Sequence, residues 1–384
     1  MTYQWRRAGG VAVAIAIAVL CVAAARQLMA ASGQPRAGAV IATHRKPAMP
    51  YVAVKGNHLV NAAGRSIRLL GVDRSGAEYM CVGGSAVFDG PVNAAAVKAM
   101  VSWKIDAVRV PLNEDCWLGI NGIKPSVSGE RYQLAIKRYV STLQSYGLIV
   151  ILDLHWAAPG NHVANSQWPM ADADHAPAFW KSVAETFKAN HGLIFDLFNE
   201  PYISSWPCWR NGCSVTYSAN GPPVTYKTAG MQSLVDAVRS TGATQPLMLG
   251  GLAWSSDESR WLKYVPTDPD HQLVVSFHTY NFSGCNNAAC WASTIAPLAK
   301  KVPVVTGELG ENGCTDSYID RYMPWADRHG ISYFGWTWDS TGPPSNWSCS
   351  NGPALITSYA GRPTSYGIGL KNHLAALARH TGSA

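Results

Sequence analysis

Two glutamates each follow a short apolar run, where a carboxylate is unexpected. Glu200 stands in Phe-Asn-Glu-Pro (198–201) and Glu308 in Thr-Gly-Glu-Leu-Gly (306–310). A carboxylate at the end of a buried strand is costly unless it is solvated, paired or put to chemical use. Two such strand ends, 108 residues apart, predict one cleft built from different strands. A pair of carboxyl groups is the minimum equipment for cleaving a glycosidic bond.

Apolar runs alternate with helical patterns along most of the chain, which predicts parallel strands joined by helical crossovers. Their near-continuous apolar character fits a sheet buried on both faces. Strands are predicted at 66–72, 107–112, 148–155, 193–200, 246–252, 273–280, 302–308 and 331–338. Helices are predicted at 93–103, 131–146, 177–190, 225–241, 257–264, 291–300, 317–329 and 370–380.

Eight such units predict the α/β fold class, as a single (β/α)8 TIM barrel with a short N-terminal hairpin, 55–60, at the barrel floor. A doubly wound open sheet is the competing architecture, but no glycine-rich nucleotide fingerprint favours it. In a barrel, catalytic side chains come from the carboxyl ends of strands. The polar or aromatic residues predicted there are Arg109, Asp153, His155, Asn199, Glu200, His278, Tyr280, Glu308, Trp336 and Trp338.

These motifs, in this order, resemble glycoside hydrolase family 5, the cellulase family in the clan of retaining (β/α)8 glycosidases. The matching segments are Val-Arg109-Val-Pro, Leu-Asp-Leu-His155, Asn199-Glu200-Pro201, His278-Thr-Tyr280, Gly-Glu308-Leu-Gly and Gly-Trp336-Thr-Trp338. The resemblance extends from residue 71 to about residue 340. It implies that Glu200 is the general acid/base and Glu308 the nucleophile.

Physical chemistry supports this division of roles. A retaining mechanism needs carboxyl groups about 5–5.5 Å apart, one attacking carbon while the other protonates the leaving oxygen. At that distance the two charges repel, so the pKa of one group rises and it stays protonated. We expect Arg109 to keep Glu308 ionised, and Glu200 to act first as acid and then as base.

The neighbouring residues are expected to position the glutamates and the sugar. Asn199 could hydrogen-bond the sugar 2-hydroxyl. His278 and Tyr280 are two residues apart, so an extended strand puts both on one face. We expect Tyr280 to hydrogen-bond Glu308, His278 to support that network, and His155 to bind sugar hydroxyls.

Several residues compete for roles. Glu311 is an alternative nucleophile, although its position predicts a loop residue, and Asp153 is predicted as a buried partner of Arg109. Trp336 and Trp338 share a predicted face, so periodicity cannot separate them, although Trp336 is favoured as the platform for the sugar. Flat aromatic rings match the apolar faces of sugars. Trp156 and Trp254 follow predicted strand ends and are further substrate-binding candidates.

The favoured function is an exported retaining glycosidase acting on a polysaccharide or oligosaccharide, with endo-β-1,4-glucanase activity preferred on the resemblance alone. Mannan, another β-glucan or a furanoside are alternative substrates. A catalytically inactive carbohydrate-binding barrel is the alternative class. No cofactor and no metal are predicted, since a metal-dependent hydrolase would need a His-x-His at an early strand end.

The net charge of +7 comes almost entirely from the first fifty residues, which hold six basic residues and no acid. The remainder has 25 basic and 24 acidic residues, so no nucleic-acid partner is indicated. A monomer is expected. Arg6 and Arg7 precede an uncharged stretch, 8–25, which predicts a signal peptide over 1–31 or an N-terminal membrane anchor. Residues 32–50 are predicted to form a flexible tether, and 51–384 the catalytic domain.

Eight cysteines remain once Cys21 is assigned to the predicted signal, and an even number in an exported chain predicts disulfides. Sequence alone leaves 105 pairings open. Cys208 with Cys213 and Cys285 with Cys290 are attractive local pairs, and Cys81 with Cys116 and Cys314 with Cys349 would be the remainder. A structural zinc site competes, but no C-x-x-C spacing supports it.

Overall fold

The computed structural model describes residues 49–218, 221–340 and 353–381. At its centre eight parallel strands close into a barrel, each pairing with the next and the last with the first. The strands are β1 (Leu70–Asp73), β2 (Ala107–Asn113), β3 (Ile149–Trp156), β4 (Leu193–Asp196), β5 (Leu247–Gly250), β6 (Leu273–Tyr280), β7 (Val304–Gly310) and β8 (Ser332–Gly335). The predicted (β/α)8 barrel is therefore confirmed.

The helices occupy the crossovers between successive strands. The longer ones are Ala94–Ser102, Glu130–Ser145, Ala176–Phe187, Gly230–Arg239, Ile319–Arg328 and Gly367–Thr381. Shorter ones are Glu114–Leu118, Trp206–Asn211, Leu252–Ser255, Trp261–Tyr264, Ala288–Cys290 and Ala296–Ala299, with a π-helical turn at Trp291–Ile295. The helix predicted at 225–241 begins later because 224–227 pairs as a hairpin with 214–217. A second strand pair joins Ile356–Ser358 to Arg362–Pro363.

The barrel floor is closed by a three-stranded antiparallel sheet rather than by a hairpin alone. Ala53–Lys55 pairs with His58–Val60, which in turn pairs with Ser66–Ile67. The predicted strand 66–72 is thus two strands, one in the floor and one in the barrel. Leu59 of the floor packs against the lower barrel interior, so the floor plugs the barrel with apolar side chains.

The two faces of a barrel strand separate the core from the site. On β3 the residues Val150, Leu152 and Leu154 pack outward into the large core shared with the helices. Ile149 and Ile151 point inward and fill the lower barrel. Because side chains alternate along a strand, Asp153 and His155 continue the inward face. The interior therefore changes from apolar to polar toward the carboxyl ends of the strands.

Disulfides lie in the loops at the carboxyl side of the barrel. The pairs are Cys81–Cys116, Cys208–Cys213 and Cys285–Cys290, the three pairings proposed from sequence for these six cysteines. Cys314 is also disulfide-bonded, while its expected partner Cys349 lies outside the described residues. The predicted signal or anchor (1–31) and residues 32–48 of the predicted tether lie outside them too. In the part of the chain that is described, no helix is both long and apolar enough to cross a membrane.

Candidate active site

The two glutamates predicted to do chemistry face each other across the barrel mouth. One carboxylate oxygen of Glu200, one of Glu308 and a ring nitrogen of His278 all lie within 4.8 Å of one another. Glu308 is on β7, whereas Glu200 lies four residues beyond the end of β4. Strand β4 ends earlier than predicted, so the backbone bend after Asp196, rather than strand alternation, directs Glu200 into the mouth.

Arg109 on β2 organises the charges beneath this pair. Its Nη1 donates to Glu308 Oε1 at 3.0 Å and to Asp73 Oδ1 at 2.9 Å, and its Nε donates to Asp196 Oδ2 at 3.0 Å. Asp153 Oδ2 lies 3.1 Å from Nη2, in the position expected of a buried partner. One guanidinium therefore serves four carboxyl groups, all buried with it.

One positive charge cannot neutralise four buried carboxylates, so protons must compensate for the remainder. Burial raises the pKa of Asp153 and of Asp196 to about 7, with Arg109 opposing the shift. Burial also raises the pKa of Asp73 well above its ordinary range. The layer beneath the glutamates is therefore partly protonated near neutral pH, and Arg109 is shared rather than fully occupied.

Glu200 and Glu308 have different surroundings. Glu308 Oε2 accepts a 2.6 Å hydrogen bond from the Tyr280 hydroxyl while its Oε1 faces Arg109. Glu200 has no such cation, and burial together with the charge of Glu308 raises its pKa well above the ordinary range. Tyr280 stays a donor, because burial and Glu308 raise its pKa too. The arrangement favours negative charge on Glu308 and a proton on Glu200.

His278 contacts the proton-carrying glutamate. Its Nδ1 lies 3.0 Å from Glu200 Oε1 and 3.8 Å from Glu308 Oε2. Burial and Arg109 lower the pKa of His278 well below its ordinary value, so the ring is neutral. A neutral imidazole nitrogen can accept from a protonated carboxyl or, in the other tautomer, donate to a carboxylate. The contact can thus serve both protonation states of Glu200.

Asn199 and His155 form a second layer of polar groups. Asn199 Oδ1 accepts from Arg109 Nη2 at 2.7 Å, and its Nδ2 lies 3.2 Å from Gln167 Oε1. His155 Nδ1 lies 2.7 Å from Asp153 Oδ2, and burial lowers the pKa of His155 to about 3. The neutral ring therefore donates to Asp153 and leaves Nε2, 3.5 Å from Asn199 Nδ2, toward the cleft.

The cleft above the glutamates has a volume of about 640 Å³ and three aromatic walls. Trp336 stacks on the His155 ring at 5.4 Å, and Trp254, 47% exposed, stacks on Tyr202 at 4.0 Å. Phe282, 64% exposed, stacks on Tyr280. The exposed faces of Trp254 and Phe282, and the part of Trp336 that lines the cleft, can contact an elongated ligand with apolar surfaces.

Two tryptophans predicted to contact substrate lie elsewhere. Trp338 is 0% exposed and packs edge-on against Trp103 with ring centroids 4.8 Å apart. Its assignment as a sugar contact is wrong, because β8 ends at Gly335 and alternation does not continue to Trp338. Trp156 packs on Tyr79 and on the small apolar cluster around Trp168, and it is not among the residues that line the cleft.

Glu311, the competing nucleophile, is hydrogen-bonded to backbone amides away from the cleft. Its Oε2 accepts from the amides of Tyr318 and Ile319, at 2.5 and 3.1 Å, and its Oε1 accepts from the Thr315 hydroxyl. These contacts hold the start of the helix Ile319–Arg328 rather than face Glu200. The geometry therefore favours Glu308.

Sequence reasoning missed four residues of this site. Asp73 and Asp196 close β1 and β4 within apolar runs, the same signal that singled out Asp153. Gln167, which donates to the backbone oxygen of Glu200 at 3.3 Å, and Phe282 lie in long loops. Nothing in their local pattern marks loop residues of this kind.

The Glu200, His278 and Glu308 atoms are close enough to hold a cation. However, Glu308 already has the Arg109 guanidinium and the Tyr280 hydroxyl, and Glu200 has His278. The arrangement is satisfied as a proton-transfer pair and needs no metal to balance it.

Comparison with known proteins identifies relatives of the chain. Residues 61–342 match the family model described as cellulase, glycosyl hydrolase family 5. The chain is 22% identical over 297 residues to endoglucanase CelA of Streptomyces lividans, covering 74% of this chain and 55% of that protein. It is 28% identical over 183 residues to a mannan endo-1,4-beta-mannosidase of the same organism, covering 44% and 42%. It therefore spans about half the length of these curated relatives.

Among solved structures, the fold is similar to a beta-glucanase of Saccharophagus degradans crystallised with cellotetraose. The TM-score is 0.64 at 17% identity, and the match covers 86% of this chain and 94% of that one. At this identity the likeness supports the barrel architecture alone.

Proposed function

Because the chain belongs to glycosyl hydrolase family 5, we propose that it is an exported, monomeric enzyme that cleaves β-glycosidic bonds by double displacement. The observation that carries this proposal is the approach of one carboxylate oxygen of Glu200 and one of Glu308 to within 4.8 Å. Of these two glutamates, only Glu308 forms a salt bridge with Arg109. Retaining glycosidases separate their carboxyl groups by about 5–5.5 Å, whereas inverting enzymes leave about 6.5–9.5 Å for a water molecule. The spacing supports retention.

In the first step, a Glu308 oxygen attacks the anomeric carbon while Glu200 gives its proton to the departing glycosidic oxygen. The negative charge of Glu308 is consumed as the covalent bond forms. This change removes the repulsion that, in addition to burial, raised the pKa of Glu200, so Glu200 can stay a carboxylate once its proton has left. The loss of one charge thus prepares the other residue for the second step.

In the second step, Glu200 accepts a proton from water, which attacks the anomeric carbon and releases Glu308. His278 Nδ1, 3.0 Å from Glu200, can accommodate both states of the carboxyl group. Asn199 is held by Arg109 and Gln167, and we propose that it orients toward the sugar 2-hydroxyl. His155, Trp254 and Trp336 are proposed to contact neighbouring sugars.

Endo-β-1,4-glucanase activity is the favoured form of this function. An open cleft with separate aromatic walls, Trp254, Phe282 and Trp336, suits several consecutive sugars of a chain. An endoglucanase and a β-glucanase are among the similar proteins. The similarity to a mannan endo-1,4-beta-mannosidase makes β-1,4-mannan the second candidate substrate.

The test is to follow a cello-oligosaccharide reaction by proton NMR in real time, alongside release of reducing sugar from soluble cellulose, mannan and β-1,3-glucan. The expected result is β-anomeric product formed first, with the soluble cellulose derivative cleaved most efficiently. First formation of the α-anomer would exclude double displacement on this β-linked substrate. Preference for mannan would establish the second candidate. A fully folded protein with no activity on any glycan would indicate a binding barrel.

A further inference from the structure

A second group of acidic residues lies outside the cleft. Glu114, Asp172 and His175, which we call the second carboxyl cluster, each present one potential ligand atom, and these atoms lie within 4.8 Å of one another. His175 Nδ1 is 3.9 Å from Glu114 Oε1 and 3.8 Å from Asp172 Oδ1. The carboxyl groups are fully buried, and the His175 side chain is 25% exposed.

The cluster joins two loops of the barrel mouth. Glu114 opens the helix Glu114–Leu118 directly after β2, whereas Asp172 and His175 close the loop 157–175 that follows β3. The same loop pairs with the backbone of 227–229 and sends Gln167 to Asn199 and to the backbone of Glu200. Whatever the cluster binds would therefore fasten one wall of the cleft.

Two buried oxygens of the cluster have no donor. Glu114 Oε2 and Asp172 Oδ2 receive no hydrogen bond from any N–H or hydroxyl group in the described parts of the chain. In those parts His175 is the only basic side chain that forms a salt bridge with either carboxyl group. Buried, unpaired carboxylate oxygens are costly, so this arrangement needs either a proton shared between the two carboxyl groups or a cation between them.

The charges around this cluster differ from those around the glutamate pair in the cleft. The contrast with Arg109, which serves four carboxyl groups at the barrel mouth, is direct. The second carboxyl cluster has the acids without a guanidinium.

The donor set suggests which cation would fit. Two carboxylates and one imidazole suit first-row divalent ions such as Mn²⁺ and Zn²⁺, whereas Ca²⁺ and Mg²⁺ prefer oxygen ligands. At ligand distances of about 2.0–2.2 Å, neighbouring ligand atoms around such an ion lie about 3–3.6 Å apart. His175 Nδ1 lies 3.8 Å from Asp172 Oδ1 and 3.9 Å from Glu114 Oε1, oxygens that also accept backbone amides. These separations need to shrink by only a few tenths of an ångström, and Nδ1 has to give up its 3.5 Å contact with the Ala158 carbonyl. His175 is partly exposed and gives the ion a path of entry.

We propose that Glu114, Asp172 and His175 form a binding site for one divalent first-row transition-metal ion, which fastens the loop 157–175 to the helix Glu114–Leu118. The site is separate from the glutamate pair of the cleft and has no part in bond cleavage. The rival arrangement is a proton shared between the two carboxyl groups, with no affinity for metal.

The experiment uses the purified protein, stripped of metal by chelation and exchanged into chelator-free buffer. Titration with Mn²⁺, followed by loss of the free-ion EPR signal, is expected to give one bound ion per chain. Thermal unfolding is expected to shift upward by about 3 °C or more at saturating Mn²⁺ or Zn²⁺. Mg²⁺ at the same concentration is expected to shift it far less.

Variants locate the ion. Glu114→Gln and Asp172→Asn preserve shape and are expected to abolish both the bound ion and the thermal shift. Asp115→Asn is the matched control, because Asp115 is buried next to Glu114 and holds the same loop through the amide of Ala164, but it is not in the cluster. Glu308→Gln tests the other group of possible ligands. Both of these variants are expected to keep one ion and the full shift.

Each alternative gives a distinct result. No stoichiometric ion and no thermal shift in the unmodified protein would overturn the proposal in favour of the shared proton, whatever the variants do. An ion lost in Glu308→Gln but kept in Glu114→Gln would place it in the cleft and overturn the proposal equally. If Glu114→Gln does not fold, nitrogen hyperfine coupling to Mn²⁺ in the unmodified protein, lost in His175→Ala, decides the matter.

Discussion

Two pairs of carboxyl groups lie at the carboxyl side of the barrel, and each pair has a histidine beside it. Glu200 and Glu308 face an open cleft and stand above Arg109, whereas Glu114 and Asp172 are enclosed between two loops with no guanidinium. The negative charges of two similar pairs are thus compensated by different groups. The cleft pair is balanced by the fixed charge of Arg109 and by protons, whereas the second pair has only a shared proton or the proposed metal ion to balance it.

This difference shows how the groups around a pair of carboxyl groups can suit it either to catalysis or to stabilising the fold. In the cleft, Arg109 stabilises one carboxylate and leaves the other to bind a proton, which is the asymmetry that acid/base catalysis requires. In the second carboxyl cluster both acids have the same deficit, so neither is prepared for proton transfer. We therefore expect the cleft pair to control rate and the second pair to control stability.

The largest expected effect is the loss of activity in Glu308→Ala. Removal of the nucleophile should lower kcat/KM on a cello-oligosaccharide by about 10⁴-fold or more. The melting temperature should change little, because Arg109 keeps Asp73, Asp153 and Asp196 as partners. Steady-state kinetics and calorimetry on the same preparation measure both quantities.

The matched change in the other pair is Glu114→Gln. In the Mn²⁺-loaded protein it should lower the melting temperature while kcat/KM stays within about 3-fold of the unmodified enzyme. A Glu114→Gln variant as inactive as Glu308→Ala would contradict the proposed distinction between the two pairs.

Azide provides a further check on Glu308→Ala, since it should restore turnover and give the glycosyl azide of inverted configuration.

The next effect depends on the leaving group. Glu200→Ala should lower the rate by about 10²–10⁴-fold on substrates whose leaving oxygen needs a proton. On aryl glycosides with very acidic phenols, the bond-breaking step should be nearly unaffected, because such phenolates leave without protonation. Pre-steady-state bursts over a series of phenols give the dependence. A uniform loss across the series would contradict the role of Glu200 as the acid.

Removing the positive partner should also distinguish the regions. Arg109→Met leaves four buried carboxyl groups without their cation and should lower the free energy of unfolding by about 3–5 kcal/mol at pH 7. His175→Ala, measured without metal, should lower the free energy of unfolding by about 1 kcal/mol or less. The His175 ring is partly exposed and makes only long contacts with the two carboxyl groups. Denaturant unfolding in metal-free buffer compares the two. Equal losses would show that the clusters are compensated alike.

The pH dependence of stability reports the protons beneath the glutamates. Asp153 and Asp196 have pKa values of about 7 in the folded chain against an ordinary 3.8. The folded state therefore binds these protons more tightly, and their contribution is full below pH 4 and lost as the pH rises through 7. Stability should therefore fall between about pH 4 and pH 7, by up to about 1.4 kcal/mol per pH unit for each group, and level off above pH 7.

Asp196→Asn isolates this effect, because the amide cannot titrate. The free energy of unfolding of this variant should fall less steeply with pH than that of the unmodified chain, by the slope that one titrating carboxyl group contributes. Subtracting one profile from the other cancels the contributions of carboxyl groups whose pKa is lowered in the folded chain. Asp327 is one of them, because its hydrogen bonds to His373 and Arg68 lower its pKa against the effect of burial. Identical slopes would mean that Asp196 is already ionised in the folded protein.

The sequence was sufficient for the barrel because its signals are periodic. Each strand is an apolar run buried on two faces, and each helix fills a crossover of adequate length. Glu200, Glu308, Arg109, His278 and Tyr280 come together because parallel strands bring their carboxyl ends to one edge. Topology brings these strand ends together, and for Glu200 the backbone bend after Asp196 completes the approach.

Where periodicity ends, prediction from sequence ends too. Trp338 was misplaced because β8 stops at Gly335, and Asp73 and Asp196 were passed over although each closes a strand. The second carboxyl cluster has no sequence signature at all, since Glu114 and Asp172 lie 58 residues apart in different loops. Such contacts depend on how loops pack, which local patterns do not encode.

The smallest effect tests whether the two regions are truly separate. Gln167 belongs to the loop fastened by the second carboxyl cluster, yet it contacts Asn199 at 3.2 Å and the Glu200 backbone at 3.3 Å. Gln167→Ala should lower kcat/KM by about 2–5-fold, the loss of one or two neutral hydrogen bonds.

Combining Gln167→Ala with Glu114→Gln measures the connection between the regions. If the cluster acts on the cleft only by holding this loop, the double variant should be less impaired than the product of the single effects, with a coupling of up to about 0.6 kcal/mol, the whole effect of Glu114→Gln. Asp327→Asn, at a salt bridge with Arg68 outside both clusters, should combine with Gln167→Ala additively. Additivity in both cycles would mean that Gln167 is positioned without help from the cluster, and the two carboxyl pairs would then be energetically independent.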